Sequence, residues 1–438
     1  MIEIVSHPSG PPPARLTAIL GRRAGVSADV EEAVRGILRA VCDGGDGAVV
    51  DCTARFDGVT MATEQLRVPV EAIRRAREGM AADLAEAVAA AAANIQSFHE
   101  RQRQNSWFVE DGDGVILGKR RQPLRRVGIC VPGGNAPLLS SLLMTAIPAQ
   151  VAGVRELCVV SPPGPDGLPH LDILATAGQL GLEEFYAMGG AQAVGAMAYG
   201  TESVAPVDKI VGPGGPYTVA AKKQVYGLGG VEMIPGPSEI VVLADAGADP
   251  RFVAADLLSQ AEHGSGFEAS VCVTPSAELA AAVAAEVARQ VPRLPLAETI
   301  ARALQNYGAI VVVPDLAAGV ELVNEMAPEH LELLVSDPWA TMQRIENAGA
   351  IFLGPASAES VGDYFAGTNH VLPTSGAARF ASSLGLDDFV KTTSIVAYTP
   401  ERLAQVGGKI IRMAEAEGLQ AHAEAVRVRL LDGGTTDD

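Results

Sequence analysis

Arg126-Val-Gly-Ile-Cys-Val-Pro-Gly-Gly134 is where the texture of the chain changes. A short apolar run ends in proline and two glycines, as a strand delivered into a tight turn does. The same unit recurs downstream. Apolar runs at 127–131, 157–161, 184–188, 209–211 and 240–244 are separated by Gly/Pro clusters and helical patterns, and a second set follows at 270–274, 309–313 and 350–353. That alternation predicts parallel strands with crossover helices, an α/β class with two sheets in sequence.

Upstream of Arg126 the pattern is helical. Val30, Val34, Ile37, Leu38 and Val41 form one stripe after Ser27, Gly44-Gly45 should end it, and a second piece follows around 48–56. Residues 70–104 are Ala-rich and predict one or two further helices. Residues 1–25 are expected to be irregular, because Pro11, Pro12 and Pro13 interrupt any regular element. From about Pro400 the pattern returns to helix through Leu403, Val406, Ile410 and Ile411, and the polar end 433–438 should fray.

The 438 residues are 48% hydrophobic, enough for two or three cores. A formal charge of -19, from 52 acids against 33 bases, argues against a general nucleic-acid binder, which needs a basic face. The first residues lack a basic start followed by an apolar core, and no long apolar run appears, so a cytoplasmic protein without a membrane span is expected. Cys42, Cys52, Cys130, Cys158 and Cys272 are scattered and never form Cys-x-x-Cys, the usage of free thiols.

Glycine clusters at 132–134, 189–190, 212–215 and 236–238 adjoin the strand-like runs, where open α/β sheets bind ligands, yet no Gly-x-Gly-x-x-Gly fingerprint is present. In Asp256-Leu-Leu-Ser-Gln-Ala-Glu-His263 the helical spacing of Val253, Leu257 and Ala261 continues to Gly264-Ser-Gly266. Gln260 and His263, three apart, then share one helix face. Ala327-Pro-Glu-His330 sets an acid beside a base on a turn after Pro328, a pairing suited to general base work at neutral pH. Asp363 and His370 share a Gly-bounded loop, and Glu417 and His422 flank a glycine. Taken alone, Ala327–His330 reads equally as a solvated turn, and a solvated face is the ordinary reading of Gln260 with His263 and of Glu417 with His422. A divalent cation with nitrogen and oxygen ligands and no thiolate would use Gln260, His263, Asp363 and His422, a set that suits catalytic zinc or manganese.

Taken in order, these stretches resemble the histidinol dehydrogenase family, which serves the last steps of histidine biosynthesis. The resemblance runs through Val127–Gly134 and 136–144, Gly189-Gly-Ala-Gln192, Val207-Asp-Lys-Ile-Val-Gly-Pro-Gly214, Gly236-Pro-Ser-Glu239 and Asp256–His263. It continues through Ala327-Pro-Glu-His-Leu-Glu-Leu333, Gly362-Asp-Tyr364, Asn369-His-Val-Leu-Pro-Thr374, Asp387-Asp-Phe389 and Glu417-Gly-Leu-x-x-His422. It implies one zinc per subunit on Gln260, His263, Asp363 and His422, and an acid/base pair of Glu329 and His330. Substrate contacts fall on Ser238, Gln260, His263, His330, Glu359, Asp363, His370, Glu417 and His422, and NAD contacts on Cys130, Gln192 and Gly215. The chemistry implied is oxidation of L-histidinol through bound L-histidinal to L-histidine with two NAD. The implied architecture is two incomplete Rossmann-like domains (26–126 with 237–385, and 127–236), an arm at 1–25 and a helical tail at 386–438. That tail completes the partner's site in a homodimer. Two positions depart from the family pattern, Cys130 for the usual Tyr and Gly215 for the usual Asn. They leave a paralogue acting on another small alcohol, such as a sulfonated diol, as the alternative.

Overall fold

Residues 2–8, 10–22, 27–133 and 137–431 are described in the structure, a computed structural model. Gly134 and Ala136 of the glycine motif, part of the expected arm and the polar end 433–438 lie outside the described residues. The chain divides into two compact units, Met1–Gln102 with Leu124–Phe389, and Arg103–Pro123 with Val390–Asp438.

The first unit contains two parallel sheets. The larger has six strands in the order Glu3–Ser6, Gly308–Val312, Ala269–Thr274, Glu239–Ala244, His330–Leu334 and Ala350–Leu353. The smaller has five, Phe185–Ala187, Glu156–Ser161, Arg126–Cys130, Lys209–Val211 and Gly230–Val231. Every apolar run read from the sequence is a strand, its ends shifted by no more than a residue. Continuous apolar runs suit strands covered on both faces, and Glu239–Ala244, Ala269–Thr274 and Arg126–Cys130 are buried at every position. The run at 240–244 belongs with the second set, at the centre of the larger sheet.

Strand order opens a crevice in the smaller sheet. From Arg126–Cys130 the chain steps outward twice on one side, then returns to Lys209–Val211 on the other. Connections diverge there, and the space beyond the strand ends stays open.

Several expectations need correction. The described part of the first 25 residues is not irregular: Glu3–Ser6 pairs with Gly308–Val312, and Ala14–Leu20 is a helix. The prolines precede that helix, and Pro13 is its N-cap, where a missing N–H costs nothing. Arg15 fixes the helix by donating to the carbonyls of Leu304, Gln305, Asn306 and Gly308, at the C-terminus of Ala297–Tyr307. Gly44-Gly45 does not end its helix but breaks it within Ala28–Phe56, where Gly45 has φ 54° and ψ -138°. Glu202 accepts the freed N–H of Asp46 at 2.8 Å and occupies the space a Cβ on Gly45 would need.

In the second unit Val390–Tyr398, Val115–Pro123 and Trp107–Glu110 form an antiparallel sheet, followed by helices Pro400–Ala416 and Gln420–Leu431. The tail expected to be helical from 386 therefore contains, after a short 3-10 turn at Leu386–Phe389, a nine-residue strand. No helix among the described residues is long and apolar enough to cross a membrane.

Candidate active site

The amino ends of two neighbouring strands of the larger sheet build the site. Glu239–Ala244 and His330–Leu334 pair with His330 opposite Ile240. Each preceding carboxylate accepts the other residue's backbone N–H: Glu329 Oε2 from Glu239 at 2.9 Å, and Glu239 Oε1 from Glu329 at 3.2 Å. His330 Nδ1 lies 3.2 Å from the Glu239 carbonyl oxygen, which can only accept. In the neutral ring Nδ1 therefore carries the proton and Nε2 keeps its lone pair. Nε2 is buried, 3.4 Å from Asp363 Oδ1 and 4.0 Å from Glu359 Oε1. The expected turn at Glu329-His330 is thus a strand start, and both side chains are buried.

Burial raises the Glu329 carboxyl to about 8, against the pull of His330. Burial alone would lower His330, but the Glu329, Asp363 and Glu359 carboxylates outweigh it and raise the imidazole to about 10. Asp363 is held at about 2, because the charge of His330 beside it overcomes its own burial. Three acids around one imidazole keep a proton inside the cluster through neutral pH.

Helix Pro250–Ala261 delivers the glutamine and histidine read from the sequence. Val253, Leu257 and Ala261 are its buried stripe, and Gly264 at φ 95° turns the chain away. Gln260 is completely buried and donates from Nε2 to Glu359 Oε1 at 2.6 Å. Its Oε1 is buried with no hydrogen-bond partner among the described residues. An orphaned amide oxygen costs about 1–3 kcal/mol, and a cation would satisfy it. His263 stands at the rim; desolvation lowers its pKa against the pull of Asp363 and Glu268, favouring the neutral ring that ligates metal. His330, Glu359 and Asp363 also bring one ligand atom each within 4.8 Å of one another. The donors present (amide oxygen, imidazole, carboxylate) fit zinc or manganese.

Ser238, His263, Glu329, His330, Asp363 and His370 line one cavity of about 150 Å³. His370 Nδ1 approaches the Asp363 carbonyl at 2.9 Å, and its Nε2 lies 3.5 Å from Ser141 Oγ. A second cavity, about 290 Å³, lies at the carboxyl ends of the smaller sheet and is lined by Cys130, Pro132, Gly189, Gly190 and Gly215. Pro132-Gly133, Gly189-Gly190 and Pro213–Gly215 of the glycine clusters thus border a cavity. Gln192 is buried one turn into the helix that follows Gly189, its Nε2 3.5 Å from Asp57 Oδ2. Burial pushes the Cys130 thiol up to about 12, so it stays protonated. Glu417 caps helix Pro400–Ala416 and His422 lies in the first turn of Gln420–Leu431; both are exposed, in the second unit.

Sequence reasoning missed several groups. Glu239 and Glu332 are buried, and Glu332 accepts the Glu359 backbone N–H at 2.7 Å. Each is an acid within or at the start of a buried strand, a signal visible in Ser238-Glu-Ile-Val-Val and His330-Leu-Glu-Leu-Leu. Lys222 and Glu232 form a buried ion pair, and Glu232 also lines the first cavity.

The histidinol dehydrogenase family model matches residues 20–430. Histidinol dehydrogenase of Geobacillus kaustophilus is 51% identical over 401 residues, 92% of this chain and 94% of that protein. That of Moorella thermoacetica is 52% identical over 408 residues, 93% and 95% of the two chains. The crystal structure of histidinol dehydrogenase from Elizabethkingia anophelis superposes with a TM-score of 0.92 at 36% identity, covering 99% of this chain and 100% of that one. With the match spanning both sheets, the buried Glu329-His330 pair and the helix of Gln260 and His263, the chain belongs to the histidinol dehydrogenase family.

Proposed function

We propose that this chain oxidises L-histidinol through bound L-histidinal to L-histidine, reducing two NAD. The observation that carries the reading is the buried Glu329-His330 pair beside an orphaned Gln260 oxygen, His263 and Asp363. Identity near half over nine-tenths of the chain supports histidinol over another small alcohol.

Gln260, His263 and Asp363, with His422, would hold a zinc ion, which when bound supplies a positive charge to orient the substrate's amine and imidazole. Cys130 and Gly215, which line the cavity at the carboxyl ends of the smaller sheet, with Gln192 in the neighbouring helix, would hold NAD, which when bound would supply a hydride acceptor for the alcohol carbon. With the Asp363 carboxylate engaged by a cation, His330 would lose one of the acids that hold its second proton; the neutral ring, protonated at Nδ1 and held by Glu239, then takes the hydroxyl proton at Nε2. Glu329, tethered at Oε2, has Oε1 to take a proton from the water that attacks the aldehyde. Ser238, Glu359, His370 and Glu417 position the substrate. Because the aldehyde is reactive, retention in one pocket protects both steps.

The purified chain with zinc is expected to form about two NADH per histidine, the ratio two successive hydride transfers require. Absorbance at the NADH band, read against histidine formed, checks this. One NADH per histidinol with free aldehyde in solution would sink the two-step reading.

A homodimer with a shared site completes the proposal. The second unit exposes Trp107, Phe108, Val396 and Met413, apolar surface of the kind a partner covers. Glu417 and His422 would then serve the partner's zinc. Mixing inactive His330→Ala and His422→Ala chains after subunit exchange should restore roughly a quarter of wild-type sites, since half the dimers are hybrids with one intact site. No recovery on mixing, with hybrid dimers demonstrated, would put each site within one chain.

A further inference from the structure

The proposed acid/base pair depends on a residue far away in sequence. Arg22 follows the N-terminal helix Ala14–Leu20, whose Leu16 and Ile19 are buried and whose Arg15 is tied to the end of Ala297–Tyr307. The Arg22 guanidinium is itself buried. It pairs with the Glu239 carboxylate, donates to the Phe267 and Ser238 carbonyls, and lies 5.9 Å from the centre of the Tyr307 ring. Glu239 divides its two carboxylate oxygens. Oε2 receives Arg22, while Oε1 receives the backbone N–H of Glu329 at 3.2 Å and of Ser375 at 2.9 Å. The backbone of the same residue then reaches the chemistry. Its N–H holds Glu329 Oε2 and its carbonyl accepts from His330 Nδ1. The backbone bonds that hold the Glu329 carboxylate and His330 Nδ1 therefore both come from Glu239, and Arg22 supplies the only cation paired with Glu239 among the described residues.

We propose that Arg22 is a positioning residue for this reaction: by neutralising Glu239 it fixes the Glu329 carboxylate and the His330 ring in their working orientations. The inference rests on the functional reading above but adds a residue outside the pocket. Without Arg22, Glu239 would be a buried, unpaired charge against a second carboxylate. It would have to rotate, take up a proton or admit water. Any of these loosens the reciprocal bonds to Glu329, and small misplacements of a catalytic group are costly.

The test uses the full-length, zinc-loaded enzyme with Arg22→Met, Arg22→Lys and Glu239→Gln. Arg22→Met should lower kcat roughly 10- to 100-fold, the scale for a misplacement near 1 Å. KM for histidinol and bound zinc should change less than about twofold, because the ligands are untouched. Arg22→Lys, which keeps the charge without the fork, should recover part of the loss. Glu239→Gln, which retains an acceptor for the Glu329 N–H, should fall between. A second readout does not depend on substrate. Imidazole ¹⁵N signals of His330 in the zinc-loaded enzyme, assigned with His330→Gln and recorded at a pH where the ring is neutral, should report a single Nδ1–H form in the wild type and a mixture in Arg22→Met. An unchanged His330 tautomer in Arg22→Met overturns the proposal, as does a kcat that falls only with bound zinc. Wild-type enzyme inert toward histidinol would instead overturn the functional reading, with the tautomer still deciding the role of Arg22.

Discussion

Glu329→Gln is expected to slow oxidation of L-histidinal by about 100- to 10,000-fold, the range for removing a general base, while oxidation of L-histidinol falls far less. The asymmetry follows from how the side chain is held. Oε2 is tied to the Glu239 N–H at 2.9 Å, a bond that an amide oxygen can keep. The remaining position becomes an NH₂ that can donate but cannot take a proton from water. Burial has raised this carboxyl to about 8, so the wild-type group is a stronger base than an ordinary glutamate and the substitution removes more. The alcohol step needs a proton acceptor too, but there the acceptor is His330 Nε2 in its neutral ring, adjacent to Asp363. Rapid-mixing measurements of NADH formation, started separately from alcohol and aldehyde, resolve the two steps. Equal losses on both substrates would remove Glu329 from the hydration role.

What was legible in the sequence follows from the same division between packing and chemistry. Runs such as 240–244 and 270–274 could be read because parallel strands covered on both faces need unbroken apolar residues. His330–Leu334 lies beside them in the same sheet, yet it reads His-Leu-Glu-Leu-Leu. Two of its five positions are given to the site, and the pattern is lost where function takes over. Glu3–Ser6 was hidden for another reason: it is a short edge strand, with only one neighbour and mostly exposed side chains. Val115–Pro123 carries Lys119, Arg120 and Arg121 and shows no alternation, because its antiparallel sheet buries little on either face. At the site, Gln260 and His263 were legible as helix neighbours, a local relation. The Arg22, Glu239 and Glu329 connection spans most of the chain, and no local spacing encodes it. Only the strand register brings Glu239 and Glu329 together.

Lys222→Met should destabilise the protein by about 3–5 kcal/mol, the cost of removing one partner from a buried ion pair. Lys222 is completely buried and Glu232 nearly so. The Lys222 ammonium donates to Glu232 Oε1 at 2.6 Å and to the Gly212 carbonyl at 2.9 Å, and the same Glu232 oxygen accepts the Gly212 N–H at 2.8 Å. The pair thus satisfies both backbone groups of Gly212, where the chain leaves strand Lys209–Val211 at φ 104°. A side chain is excluded there, since a Cβ would fall 2.3 Å from the Cys130 carbonyl. Methionine fills the volume but leaves the Glu232 carboxylate without its counter-charge. Burial already raises that carboxyl above its usual 4.5, opposed chiefly by Lys222, and losing the lysine raises it further. A carboxyl raised in the folded state costs nothing below its unfolded value and progressively more as pH climbs toward the folded one. The deficit of Lys222→Met should therefore shrink toward pH 4.5 and widen toward neutrality. Urea unfolding across that range measures it, and a loss below about 1 kcal/mol at pH 7, or one independent of pH, would contradict a buried ion pair. Adding Glu232→Leu should recover most of the stability, because an apolar pair replaces two charges without leaving either alone. It should not recover the grip on NAD. Gly212 opens the loop to Gly215, which borders the cofactor cavity, so KM for NAD should stay raised in the double variant.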